Sequence, residues 1–237
     1  LTSNPHSTSA DIVVIGAGII GLACALRLQL DGLKVALIDR DAPGYGASFG
    51  NAGHIATEQI HPLASPQVVS GALSMLMDAV GALRVRPQYL FGIAPWLVRF
   101  LWASRPSAYA RGVAAPSALQ TTAAADLTDL LRDANASHLL HMDGHLVIVE
   151  RAASLVSAKR EIDDLANHGV HADWLNADQV RKLAPDIEAP IRGAYHYHGT
   201  GHVEDPLAVC HALFAAFTRA GGQFSRCNIT HIAQHSD

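Results

Sequence analysis

Three glycines carry the first chemical signal in this sequence. Gly16, Gly18 and Gly21 stand at GxGxxG spacing directly behind the β-branched run Ile12–Ile15. Glycine at the first position permits a tight strand-to-helix turn, and at the second it lets a pyrophosphate reach the backbone with no Cβ in the way. At the third it lets the helix lie close on the strands. The amides that open such a helix offer N–H groups and a positive dipole end to phosphate. A second apolar run, Leu33–Ile38, ends in Asp39, 23 residues after Gly16. A carboxylate there accepts hydrogen bonds from ribose hydroxyls. Asp39 repels a 2′-phosphate and so disfavours NADP, although Arg40 beside it softens that objection. With a strand before, a helix after and an acid ending the second strand, the motif predicts a dinucleotide-binding βαβ unit.

The motif alone does not separate NAD from FAD. The segment that follows, GYGASFGNAG over 44–53, has only Tyr45, Phe49 and Asn51 larger than Ser. Such a run suits backbone passing close to a second extended ligand, or else a flexible surface loop. Fourteen histidines raise a metal site as a question. Yet His141 and His145 flank an Asp-Gly turn, and His196, His198 and His202 lie on or just after one strand, with His196 and His198 on one face. Without a Cys pair or an HExxH helix, no metal is expected. GxSxG, Walker A and CxxC are all absent.

The stretch IGAGIIGLACALRLQLDGLKVALIDRD followed by GASFGNAG resembles the FAD-dependent D-amino acid oxidase/dehydrogenase superfamily, and within it the bacterial D-amino acid dehydrogenases. The resemblance implies FAD, held at its phosphates by Gly16, Gly18, Ile19, Ile20 and Gly21, and at the adenosine ribose by Asp39 and Arg40. Ser48, Asn51, Ala52 and Gly53 are the implied loop contacts, with His54 near the isoalloxazine as the catalytic candidate and backbone near Ile229 at the adenine. It implies oxidative deamination of a D-amino acid or related amine by hydride transfer, with electrons passing to a quinone or to oxygen. Tyr195 and Tyr197 are further polar candidates for a substrate pocket, although both also read as ordinary sheet residues. A non-catalytic or partner-completed FAD-binding subunit and an NAD-dependent dehydrogenase are the alternatives.

The elements that must position these residues follow from pattern. Ile12–Ile15 reads as a strand buried on both faces, and Ile19, Leu22, Ala25, Leu26 and Leu30 as a helix stopped by Gly32. Val68–Leu83 and Tyr89–Ala103 read as apolar helices. Pro95 is expected to break the second, which suits a packed helical layer or a membrane-surface segment. Ser117–Asp133 reads as an amphipathic helix with Leu119, Ala123, Leu127, Leu130 and Leu131 on one side. His138–Met142 and His145–Glu150, joined at Asp143-Gly144, predict a β-hairpin. A helix over 155–166 closes at Gly169, and Asn176 with Gln179 forms a capping box. Asp205-Pro206 opens a helix that stops at Gly221-Gly222. A last strand runs from Phe224 to Ile232.

The fold expected is α/β: a Rossmann-type FAD-binding domain, glutathione-reductase-like, interleaved with an α+β substrate domain. Residues 1–10 form a flexible tail, 11–65 the first part of the FAD-binding domain, 66–198 mainly the substrate domain, and 199–237 the return to the FAD-binding domain. The chain has 237 residues, 17 basic against 21 acidic, with 49% hydrophobic and 16% charged residues. That excludes intrinsic disorder and gives no electrostatic footprint for nucleic acid. Three scattered cysteines suit a reducing, cytoplasmic setting, to which the resemblance adds a peripheral contact with the inner membrane. The first residue is Leu rather than Met, and the resemblance covers the N-terminal half to three-fifths of such proteins. The sequence therefore reads as a fragment, a truncated product, or a piece completed by a second chain. Without the strands that the family adds later, the first strands are expected to keep an open edge and an uncovered apolar face.

Overall fold

β1 (Ile12–Ile15) leads through Gly16, at φ +105°, into α1 (Ile19–Leu30), and β2 (Val35–Asp39) returns parallel to β1 with Ile12 opposite Val35 and Ile15 opposite Ile38. Gly32, at φ +92°, follows the Asp31 C-cap and ends α1 as its position implies. These elements belong to a computed structural model that describes residues 10–77 and 87–233. The rest of the chain supplies β3 (His54–Ile55), α2 (Pro66–Met77), α3 (Leu90–Ala103), α4 (Pro106–Asp133), β4 (Leu140–His141), β5 (His145–Val149) and α5 (Ser154–Ala166). It continues with β6 (Ala172–Asn176), α6 (Ala177–Leu183), β7 (Gly193–Tyr197), β8 (Gly201–Val203), α7 (Pro206–Arg219) and β9 (Gln223–Arg226). The strands form three sheets, ordered β1-β2-β9, β3-β8-β4 and β5-β7-β6.

The chain divides into two compact units, one of residues 1–56, 124–147 and 196–237, the other of 57–123 and 148–195. The segment 124–147, placed by sequence with the substrate part, groups instead with the N-terminal strands. In the first unit α1 and α7 pack beside the parallel sheet. Leu22 and Leu26 of α1, Leu37 of β2, Leu131 of α4, and Leu213 and Phe217 of α7 are fully buried together. Each such side chain contributes about 1.5–3 kcal/mol by leaving water. Asp205 caps α7, its Oδ1 accepting from the Leu207 amide at 2.8 Å with Pro206 in the first turn. In the second unit Val113, Leu165, Val180 and Tyr195 are buried. A polar chain links its helices: the Tyr109 hydroxyl lies 2.8 Å from His61 Nδ1, and His61 Nε2 lies 3.5 Å from Asp164 Oδ2. Burial, then Asp164 and Glu161, raise the Tyr109 pKa, so its phenol stays protonated and donates to Nδ1. The Asn176–Gln179 capping box forms in both directions, at 2.9 and 3.0 Å.

Several expectations are corrected. β1 is not buried on both faces: it lies at the sheet edge, and Val13 and Ile15 are each 54% exposed. That open edge and apolar face match the expectation for a sheet lacking further strands. Pro95 does not break its helix but sits inside α3. α4 starts at Pro106, eleven residues before Ser117, and carries Pro116 in its interior. On α4 Leu119 is 77% exposed while Val113, a turn and a half earlier, is buried. The Asp143-Gly144 segment is a bend, not a hairpin, because β4 pairs with β8 and β5 joins the sheet of β7. Gly144 has φ +94°, and a Cβ there would fall 2.2 Å from His196 Nε2. A Cβ on Gly201 would fall 2.0 Å from the His141 carbonyl oxygen. The bare backbones thus let two bends, at 143–144 and 198–201, pass against each other. The last strand ends at Arg226 rather than Ile232, since β2, its ladder partner, ends at Asp39. The tail 1–9 and the part of Val68–Leu83 beyond Met77 lie outside the described residues.

Candidate functional site

The parallel sheet β1-β2-β9 leaves a cleft of about 260 Å³ at the C-terminal ends of its strands. Ile15 and Gly16 line it after β1, Ile38, Asp39, Arg40 and Asp41 after β2, and Cys227, Asn228 and Ile229 after β9. Ligands of doubly wound sheets bind at this end of the strands. Four residues singled out by sequence meet here: Gly16, Asp39, Arg40 and Ile229. Ile15, Ile38, Asp41, Cys227 and Asn228 were not singled out; their only signal is position at a strand end.

Asp39 ties the cleft together. Its Oδ2 accepts from the Ala17 amide at 2.6 Å and its Oδ1 from the Asp41 amide at 2.9 Å. Burial pushes this carboxyl up, but the amides of Asp41, Ala17 and Arg40 and the Arg40 charge outweigh it and hold the pKa below its ordinary value of 3.8. Asp39 is therefore ionised at neutral pH. A carboxylate has about four lone-pair positions, so with three amides bound about one remains for a donor in the cleft.

Gly16 and Gly21 take the structural parts that their spacing implies. A Cβ on Gly21 would lie 1.8 Å from the Gly16 carbonyl oxygen, so only glycine lets α1 sit this close to the turn. A Cβ on Gly18 would meet Ser48 Oγ alone, at 3.2 Å. Ser48 reaches the start of α1, where its Oγ accepts from the Ile19 amide at 2.9 Å. Cys210 lies beside Ser48, and burial raises its thiol pKa against the opposing effect of the Ser48 hydrogen bond, so it stays a neutral packing group. The side chain of Ile20 is exposed, which leaves only its backbone for phosphate.

The rest of the 44–53 loop leads away to a second sheet. Asn51 Oδ1 accepts from the Gly53 amide at 3.0 Å, a local turn, and Ala52 is exposed. Gly53, at φ +72°, packs where a Cβ would fall 2.5 Å from the Val203 carbonyl oxygen. His54 then pairs with His202 across β3 and β8. Its Nε2 lies 3.2 Å from Thr200 Oγ1, and its ring meets His145 edge-on at 4.8 Å. Thr200 donates its one hydroxyl proton to the Ile55 carbonyl, so His54 Nε2 carries the proton of that bond. Tyr195 and Tyr197 are buried sheet residues, packed on Trp174 and His145 respectively. His196 and His198 meet at 4.7 Å, as their shared face implies.

A parallel βαβ sheet, a turn in which Gly16 takes a positive φ and Gly21 admits no Cβ, an ionised acid ending β2 and a cleft beside it define a dinucleotide-binding protein. The chain belongs to the DAO family of FAD dependent oxidoreductases, whose profile matches residues 11–237. It is 30% identical over 231 residues to a D-amino-acid oxidase of Bradyrhizobium diazoefficiens, covering 92% of this chain and 52% of that protein. It is likewise 30% identical over 229 residues to D-amino acid dehydrogenase 2 of Ralstonia nicotianae, covering 94% and 51%. Glycine oxidase from Geobacillus kaustophilus shares the fold, with a TM-score of 0.56 at 19% identity over 91% of this chain and 46% of that one. The chain thus spans about half the length of the curated relatives it matches.

FAD is the cofactor of this family, and the residues present fit it. Gly18 leaves the start of α1 open but for Ser48 Oγ, Gly21 lets α1 lie against the Gly16 turn, and Asp39 keeps an acceptor position in the cleft.

Proposed function

We propose that the chain takes part in the FAD-dependent oxidative deamination of a D-amino acid or related amine. The carrying observation is the cleft at the ends of β1, β2 and β9 with Asp39 held ionised inside it. FAD, when bound, supplies the two-electron acceptor for the hydride leaving the substrate Cα, and the resulting imine hydrolyses to a 2-oxo acid and ammonia. Gly16, Gly18 and Gly21 with the amide of Ile20, and that of Ile19 once it leaves Ser48 Oγ, hold phosphate. Asp39 accepts from ribose hydroxyls with Arg40 beside it, and Ile229 lies at the adenine. Ser48, Asn51, Ala52 and Gly53 carry the loop that leads to the reacting end. His54, fixed through Nε2 by Thr200, is the candidate to orient substrate there, since hydride transfer needs an oriented amine more than a strong base. On this reading residues 11–65 and 199–237 bind the cofactor and 66–198 mainly the substrate. Electrons then pass to a quinone or oxygen, on the cytoplasmic side and with a peripheral membrane contact.

A second reading is a partner-completed or non-catalytic FAD-binding subunit. The half-length coverage of relatives and the open edge at β1 favour it. Family membership weighs against the NAD-dependent alternative.

One spectrum tests both readings. The purified chain should show flavin absorption that bleaches on anaerobic addition of mixed D-amino acids. Absorption without bleaching, with turnover restored by a second polypeptide, would favour the subunit. A colourless chain with no affinity for added FAD overturns the assignment for this chain.

A further inference from the structure

The corner that follows β2 is gripped from two sides. A trans peptide is a rigid plane with its C=O and N–H on opposite edges, so holding one edge aims the other. In the plane joining Asp39 to Arg40, the Asp39 carbonyl accepts from the Cys227 amide at 2.8 Å, and the Arg40 amide turns to the Asp39 carboxylate. In the next plane, joining Arg40 to Asp41, Arg226 Nε donates to the Arg40 carbonyl at 3.1 Å, and the Asp41 amide donates to Asp39 Oδ1 at 2.9 Å. Residues 226 and 227 thus hold both carbonyl ends of the corner, while Asp39 collects both amide ends. The first grip is backbone and continues the β2–β9 ladder, in which Asp39 stands opposite Arg226. Any residue at 227 except proline supplies it. The second grip comes from one side chain.

Arg226 is exposed and does not line the cleft, so its route to the site is the Arg40–Asp41 plane. The Arg40 guanidinium turns to the Asp41 carboxylate at 3.3 Å, which leaves the Arg40 carbonyl to Arg226. A charged donor on a carbonyl polarises the peptide, and that strengthens the N–H bond on its far edge. With Oδ1 on Asp41 and Oδ2 on the Ala17 amide at 2.6 Å, the carboxylate is held against rotation, and its remaining acceptor position keeps one direction in the cleft. Release of the Asp41 amide frees the carboxylate to swing about its bond to Ala17.

We propose that Arg226 is a positioning residue of the cofactor site: by holding the Arg40 carbonyl it keeps the Asp41 amide on Asp39, and so keeps the remaining acceptor position of Asp39 aimed at a ribose hydroxyl. The aim at ribose rests on the FAD assignment; the hold on the carboxylate stands without it.

Two measurements on the full chain test it, each in the parent, Arg226→Met and Arg226→Lys. Methionine keeps the length and loses the donor, whereas lysine returns a charged donor. Amide hydrogen exchange near neutral pH, with no cofactor added, reads the Asp41 and Ala17 amides, both of which donate to Asp39. The Asp41 amide should exchange about tenfold faster in Arg226→Met and near the parent rate in Arg226→Lys, with Ala17 unchanged in both. A general loosening of the corner would speed both amides alike. The second measurement compares affinity for ADP and for 2′,3′-dideoxy-ADP, which lacks the ribose hydroxyls. The parent should prefer ADP about tenfold, and the preference should fall below about threefold in Arg226→Met and return in Arg226→Lys. Unchanged Asp41 exchange in Arg226→Met, equal acceleration at Ala17, or an undiminished preference for ADP overturns the proposal. A parent with no preference for ADP, but with Asp41 exchange accelerated in Arg226→Met alone, defeats the ribose assignment of Asp39 and supports Arg226 as the hold on its carboxylate.

Discussion

Helices α7 and α3 are each 14 residues long and strongly apolar, yet they end in opposite environments. α7 buries Val209, Cys210, Leu213, Ala216 and Phe217 beside the parallel sheet. α3 buries none of its described side chains fully and turns Phe91 and Trp102 to water. The difference teaches that apolar content states only a preference to leave water. What accepts the side chain depends on neighbours: α7 has α1 and β2 beside it, whereas no described element covers the outer face of α3.

The sharpest way to break the comparison is truncation on both helices. Phe217→Ala should cost about 3–5 kcal/mol, because its buried ring also packs where a Cβ on Gly222 would fall 2.1 Å away. Urea denaturation of the purified variant measures it, and a loss below about 1 kcal/mol would place Phe217 outside the core. Gly21→Ala should cost about 3 kcal/mol as α1 is pushed off the Gly16 turn, and FAD affinity should fall with it. Unchanged affinity in a fluorescence titration would show that the turn does not set the phosphate site.

Asp39→Ala should weaken FAD binding about tenfold, since an ionised acceptor is lost from the cleft. Its pKa is lowered on folding, so its contribution to stability is fully present well above 3.8 and is lost as the pH falls through the lower folded value. Denaturation midpoints taken from about pH 5 down to pH 2 should show this loss in the parent and a flatter acid limb in Asp39→Asn. Parallel curves would assign the acid sensitivity elsewhere. Asp205→Ala should cost about 1 kcal/mol through loss of the α7 cap, again by urea titration. At the small end, Phe91→Ser should leave folding stability within about 0.5 kcal/mol. A loss of several kcal/mol there would mean that Phe91 has a packing partner after all.

Much of the cofactor side was legible because its signals are local. Glycine conformations at Gly16 and Gly32 and the Asp205 cap, like the Asn176–Gln179 box of the second unit, each involve residues within a turn of one another. Side-chain and backbone chemistry decides them before any tertiary contact forms. The Asp143-Gly144 segment shows the limit. Its composition specifies a reversal of direction, and a bend is there, but the strands on either side pair with residues more than 40 positions away. Leu119 and Val113 show the same limit on α4, where periodicity marks an apolar stripe without saying how far along the helix its cover extends.

The sequence by itself determined the βαβ unit with Asp39 at its end, since that rests on residue type at fixed short spacing, whereas the family and its cofactor came through the resemblance that this stretch carries. The tertiary structure alone decided that Ala17 and Asp41 share Asp39, that Ser48 meets the first amide of α1, and that Val13, Ile15 and the outer row of α3 remain in water. Each of these depends on which distant segments arrive as neighbours, and long-range packing sets that where local preference does not.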